Sequence, residues 1–177
     1  MSEVAFFVCE QRWSVFLRAI GIDPGLAMTG FGVVETLSRG SKACEWGTIR
    51  TEAGLAVPAR LKRIYDELNE LLNKWRPDLL ALEEVFVLKQ FPKAAIQLGE
   101  VRGVIHLAAQ GREIPVIEVR PTEVKSALTG SGRADKEQVK KMICQILRIG
   151  GSLQSNHAGD ALALALTGLS RKGNLRW

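Results

Sequence analysis

One short stretch, Ala19-Ile20-Gly21-Ile22-Asp23-Pro24-Gly25, constrains this chain more than any other. The apolar run Val15 to Ile22 ends in a carboxylate, and a Pro-Gly pair follows at once. Such a run, closed by a turn signal, predicts a buried strand that leaves the core at Asp23. A carboxylate there is costly to bury unless something positive meets it. The sequence offers no nearby Lys or Arg on that side of the turn. A divalent cation is therefore the candidate partner. The competing reading is an ordinary turn, since Asp and Pro-Gly both serve in turns.

A second strand is predicted over Thr29 to Glu35, where Gly30 and Gly32 mark a close approach of other groups to the backbone. Ser38 to Ser41 reads as a turn, and Cys44 to Thr51 alternates as a third strand. The short links between these strands imply antiparallel pairing. Then the period changes. Leu61, Ile64, Tyr65, Leu68, Leu71, Leu72 and Trp75 recur at helical spacing, giving a helix over Pro58 to Trp75 that Pro77 stops. Leu79 to Leu82 is a short apolar strand ending in Glu83-Glu84. Lys93 to Gln110 reads as a helix, Ile114 to Val119 as a fifth strand, and Pro121 to Leu128 as a short helix. After the loop Gly130-Ser131-Gly132, a helix from Asp135 or Lys136 to Ile149 is ended by Gly150-Gly151. The last helix runs from His157 to Ser170, and Arg171 to Trp177 is a basic tail expected to be mobile. This order predicts an α/β fold: a mixed five-stranded sheet, three antiparallel strands and then parallel ones, with helices on both faces.

The 177 residues suit one domain with a full core, and no repeat or linker divides them. Residues 15–177 are read as that domain and residues 1–14 as an N-terminal extension. The extension lacks a basic start, and Glu3, Glu10 and Arg12 interrupt it, so it does not read as a signal peptide; Val4 to Val8 could add a strand. No apolar run reaches the ~18 residues of a spanning helix. A formal charge of +5 favours a polyanionic partner. The three cysteines, Cys9, Cys44 and Cys144, are odd in number and lack C-x-x-C spacing. That argues against a disulfide framework or zinc finger and for a reducing cytoplasm.

Two predicted strands end in carboxylates, Asp23 and either Glu83 or Glu84. Neighbours on a strand point to opposite faces, so only one of the two glutamates can face Asp23, and periodicity leaves the choice open. The last helix adds His157 and Asp160, three apart and on one face, with Ala161, Leu164 and Gly168 extending that face inward. Both polar residues are placed in the first turn, where the helix dipole favours an ionised Asp160, and Gly159 leaves room for close packing. Taken singly, each has a bland reading as a helix-start residue. Together they form a set of carboxylates and an imidazole suited to Mg²⁺ or Mn²⁺, and paired ions of that kind support phosphodiester hydrolysis.

Several blocks together resemble the RuvC family of Holliday-junction resolvases. They are Gly21-Ile22-Asp23-Pro24-Gly25, Thr29-Gly30-Phe31-Gly32-Val33, Ala81-Leu82-Glu83-Glu84-Val85-Phe86, Gly99-Glu100-Val101-Arg102-Gly103 and Val124-Lys125. Gly132 to Val139 and His157 to Ala163 complete the match, in order, over roughly Val15 to Ser170. The resemblance implies an RNase H-like fold and a homodimer that cuts four-way DNA junctions symmetrically, leaving 5′-phosphate ends. It implies a cytoplasmic partner in the RuvA–RuvB branch-migration complex and two Mg²⁺ or Mn²⁺ ions per active site. The matched metal ligands and catalytic residues are Asp23, Glu83, His157 and Asp160, which selects Glu83 over Glu84. The best-known members carry Asp where this chain has His157, and others carry His. Lys125 and Lys136 match lysines needed for cleavage, and Phe86 matches an aromatic that stacks on a base near the junction centre. Lys89 and Arg133 join Phe86 and the two lysines as expected DNA contacts, with Arg133 and both lysines neutralising phosphate charge. Residues 1–14 have no counterpart.

The helix over Lys93 to Gln110 is apolar on more than one stripe, which fits burial against a twin subunit or between two layers of one chain. Three rivals remain from the sequence: a related nuclease acting on RNA or RNA–DNA hybrids, an actin-like ATP-binding protein, for which the chain is short, and a non-catalytic junction-binding module.

Overall fold

A computed structural model describes residues 16–84, 92–150, 153 and 155–172. Its elements are β1 (Arg18–Asp23), β2 (Met28–Thr36), β3 (Ser41–Arg50), α1 (Val57–Trp75), β4 (Leu79–Glu83), α2 (Pro92–Gln110), β5 (Val116–Val119), α3 (Pro121–Thr129), α4 (Lys136–Leu147) and α5 (Asn156–Arg171). The five strands form one sheet in the order β3-β2-β1-β4-β5. The β1–β2 and β2–β3 pairs are antiparallel, and β1–β4 and β4–β5 are parallel. This is the mixed sheet expected from three short-linked strands followed by helical crossovers.

Alternation along the strands sorts side chains to two faces. Ala19, Val34, Leu79 and Ala81 join the core shared with α3, α4 and α5. Ile20, Ile22, Val33, Leu80 and Leu82 join the core shared with α1 and α2. Helices thus cover both faces, and α5 is buried continuously from Ala161 to Leu169.

What brings α5 so close is the absence of side chains beneath it. A Cβ on Gly21 would stand 1.9 Å from the carbonyl oxygen of Ala161 and 2.6 Å from the amide nitrogen of Ala165. A Cβ on Gly30 would stand 2.2 Å from the carbonyl oxygen of His157, and one on Gly32 would stand 2.8 Å from the Leu162 nitrogen. Close approach at Gly30 and Gly32 follows the sequence expectation. At Gly159 the added atom would meet only a Leu153 methyl, at 3.3 Å, so the main close approach lies in the sheet rather than at that helix residue.

Several boundaries differ from the pattern. Ile114 belongs to the turn that closes α2, its amide donating to the Ala109 carbonyl, so β5 starts at Val116. Helix α4 ends at Leu147, where Arg148 takes the left-handed conformation itself (φ 52°), ahead of Gly150. The third strand begins at Ser41, not Cys44. The first begins at Arg18, where the main-chain amide donates to the Asp78 carboxylate at 2.8 Å. The expected extension, the tail from 173 and the Phe86–Lys89 segment lie outside the described residues.

Gly21→Ala forces a methyl against main-chain atoms, and overpacking of this kind costs about 1–3 kcal/mol or more. Urea unfolding of this variant is expected to show that loss. Gly54→Ala, at a surface turn with nothing within 4 Å, is expected to unfold like the parent.

Candidate active site

Register decides which glutamate faces Asp23. Ile22 pairs with Leu82 across the parallel β1–β4 ladder, so Asp23 and Glu83 hold equivalent places at the carboxyl ends of adjacent strands. Ala19 and Gly21 lie on the α5 side of β1, and Leu79 and Ala81 lie on the α5 side of β4. By the period of two, Asp23 and Glu83 emerge on that side. Glu84, one residue on, accepts instead from Arg120 Nε at 2.8 Å. The carboxyl ends of parallel strands are where open α/β sheets bind ligands.

Helix α5 supplies the next two groups. Nδ1 of His157 donates to Oδ2 of Asp23 at 2.6 Å, across 134 residues of chain. Asp23, which lacked a partner in its own neighbourhood of the sequence, thus meets a ring nitrogen from the other end of the chain. The Asp23 side chain is 13% exposed and that of His157 is 48% exposed. Because Nδ1 carries the proton in this bond, the neutral ring keeps a lone pair on Nε2. The helix starts at Asn156, so Asp160 lies in its second turn and no acid occupies the first. The dipole benefit expected for Asp160 therefore weakens, since it fades beyond the first turn.

The electrostatics show how closely these groups are gathered. Burial pushes the Asp23 carboxyl above its usual range; the bond to His157 and its charge oppose this, and the Asp160 charge adds to it. Glu83 is likewise raised, first by burial and then by the charges of Asp23 and Asp160. Lys136 pulls both back down.

Lys125, Lys136, Glu83 and Asp160 line one cleft of about 190 Å³ between α3, α4 and α5. Its floor is apolar, with Val124, Val139, Ile143, Leu153, Ala163 and Leu164. Lys136 sits at the first position of α4, held by a capping box: Asp135 Oδ1 accepts from the Gln138 amide at 2.8 Å, and Gln138 Oε1 accepts from the Asp135 amide at 2.9 Å. Lys140 also lines the cleft, a residue the motifs passed over although it lies one turn beyond Lys136. Arg133 is exposed and is not part of the cleft lining.

Among the described residues, no three His, Cys, Asp or Glu side chains are drawn together tightly enough to form a ready-made metal cage. The donor chemistry nevertheless fits a hard divalent ion: two partly buried carboxylates are both raised by burial and by the charge of Asp160, Asp23 raises Glu83 further, and a cation relieves this crowding of negative charge.

A family model described as crossover junction endodeoxyribonuclease RuvC matches residues 19–168. A protein of that description from Brevibacillus brevis is 42% identical over 151 residues, 85% of this chain and 90% of the relative. The Thermus thermophilus RuvC structure is similar with a TM-score of 0.81 at 33% identity, covering 89% of this chain and 98% of that one. A T. thermophilus RuvC solved in complex with Holliday junction substrate gives 0.83 at 33% identity, covering 89% and 97%. The fold is RNase H-like.

A raised carboxyl pKa in the folded state means that folding favours the protonated form. In chelator, stability is therefore expected to fall as pH rises from the ordinary carboxylate range through the raised values of Asp23 and Glu83. Asp23→Asn is expected to flatten that fall and to exceed the parent in stability at neutral pH, the two converging in acid. Urea unfolding from about pH 4 to pH 8 measures it; an unchanged slope in the variant counts against a buried, strained carboxylate.

Proposed function

The chain belongs to the RuvC family of crossover junction endodeoxyribonucleases, and on that premise we propose that it resolves four-way DNA junctions by paired hydrolysis of opposed strands. The products are nicks with 5′-phosphate and 3′-hydroxyl ends. The observation that carries this reading is the β1–β4 register, which sets Asp23 beside Glu83 under the start of α5, with Asp160 and Lys136 within electrostatic reach.

Asp23, Glu83, Asp160 and His157 are assigned as ligands of two Mg²⁺ or Mn²⁺ ions. Bound ions of this type lower the pKa of a water and offset charge on a departing oxygen. The chain's own groups do the rest. Asp23 fixes the His157 ring through Nδ1, leaving Nε2 free to ligate. Buried Asp23 and Glu83 are poor at holding their charge unaided, which favours cation capture. Lys125 and Lys136 bring ammonium charge to the cleft where the scissile phosphate is placed. Phe86 and Lys89 are assigned to DNA contact, as is Arg133, which is not part of the cleft lining.

The unit is read as residues 15–177 acting as a homodimer. On α2, Ile96 and Leu107 are 65% and 63% exposed, and Gly99 and Gly103 between them have nothing within 4 Å. These four recur at intervals of three and four, so they form one open stripe on which a second copy can close. Two subunits would present two sets of carboxylates to the two strands. No described helix is long and apolar enough to cross a membrane; a cytoplasmic site of action alongside the RuvA–RuvB complex belongs to this reading.

Asp23→Asn is expected to abolish nicking of a synthetic mobile junction in Mg²⁺ and in Mn²⁺ while junction binding persists. The parent is expected to leave an RNA–DNA hybrid uncut; retained cutting by the variant, or preference for the hybrid, counts against the scheme. Leu107→Glu is expected to halve the mass seen by light scattering, and an unchanged dimer would place the interface elsewhere.

A further inference from the structure

We propose that Arg102 is a positioning residue for the cutting reaction, holding the strand end that presents Glu83, a role that rests on the assignment of Glu83 to the catalytic set. Arg102 projects from α2 with only 15% of its side chain exposed. Its Nη1 donates to the main-chain carbonyl of Glu83. Its Nη2 donates to Oε1 of Glu118 on β5 at 2.6 Å. His106, one helical turn further along α2, places Nε2 at 3.8 Å from the same Glu118 oxygen. One planar guanidinium therefore ties together a helix, the last residue of β4 and the neighbouring strand, a geometry its rigid fork suits.

The place of this contact matters. Glu83 is the last residue of β4, and one further ladder-like bond, from the Glu84 amide to the Val119 carbonyl at 2.9 Å, follows it. The β1–β4 pairing ends at Leu82, so on that side Glu83 has no ladder partner, and a turn of its backbone would swing the carboxylate. Arg102 supplies a fixed donor at that carbonyl. The contact with Glu83 is to the carbonyl rather than the carboxylate, so Arg102 acts through Glu83 and not on the reacting atoms. An exposed ion pair would matter little. A mostly buried guanidinium is different, because its loss leaves a main-chain carbonyl without its donor at a site where small displacements slow catalysis steeply.

The test is single-turnover cutting of a synthetic four-way junction by the full chain at saturating protein, beside junction affinity in chelator and thermal unfolding. Arg102→Ala is expected to cut roughly tenfold to a hundredfold slower with junction affinity unchanged. Guanidinium ion at millimolar strength is expected to restore part of that rate, and none to Glu83→Gln. Arg102→Lys, which offers one ammonium in place of the fork, is expected to fall between Arg102→Ala and the parent. Parental cutting by Arg102→Ala would overturn the role, as would a folded Arg102→Ala whose slower cutting guanidinium does not raise. Should Arg102→Ala not fold, Glu118→Gln decides, since it keeps the guanidinium and loosens its anchor. Severalfold slower cutting at unchanged affinity is expected, and parental cutting overturns the role. A parent that leaves the junction uncut, or a Glu83→Gln variant that cuts normally, would instead overturn the functional reading beneath it.

Discussion

The contact between the backbone of α5 and the bare backbone of Gly21, Gly30 and Gly32 is what the rest of the molecule depends on. Three glycines on two adjacent strands remove every atom that would hold the helix at ordinary distance. The helix can then lie directly on the sheet, buried from Ala161 to Leu169. That depth fixes where its first turns emerge. His157 and Asp160 are delivered to the end of β1 because the carbonyl of His157 itself rests over Gly30. A side chain at any of the three glycines would lift the helix and carry the imidazole away from Asp23. The catalytic reading of the site is therefore a consequence of packing before it is a matter of chemistry.

Electrostatics then gives the arrangement its character. Burial alone raises Asp23 and Glu83, and gathering them beside Asp160 raises them further. A fold selected only for stability would not place these acids so near one another. The opposing charges are few and specific: His157 on Asp23, Lys136 toward both acids, and Arg102 toward Glu83. Such a set is poised to take up positive charge, which is what a divalent ion and a DNA backbone respectively supply and require.

Much of this was legible in the sequence, and the exceptions have physical causes. The sheet could be read because its strands are short, apolar and closed by turn residues, and because a change of period marks α1. Gly30 and Gly32 stood out inside a strand, while Gly21 gave no such signal within its motif. The choice between Glu83 and Glu84 could not come from periodicity, because the pairing of Ile22 with Leu82 joins positions far apart in the chain. The family resemblance made that choice, and the register agrees with it. The expected dipole benefit to Asp160 rested on placing the helix start at His157, whereas α5 begins at Asn156 and leaves Asp160 in the second turn. Arg102 lay inside a matched block without a role, since its partner at Glu83 is a main-chain carbonyl that carries no mark in the sequence.

The account stands on convergence of Asp23, Glu83 and Asp160 about divalent cations beneath the start of α5. Anomalous scattering from crystals of the protein soaked in Mn²⁺ tests that most directly. Manganese bonded to the Asp23 and Glu83 carboxylates, with Asp160 in the same ligand shell, is the expected result. Manganese ordered elsewhere, with Asp23 and Glu83 making no bond to it, would contradict the account.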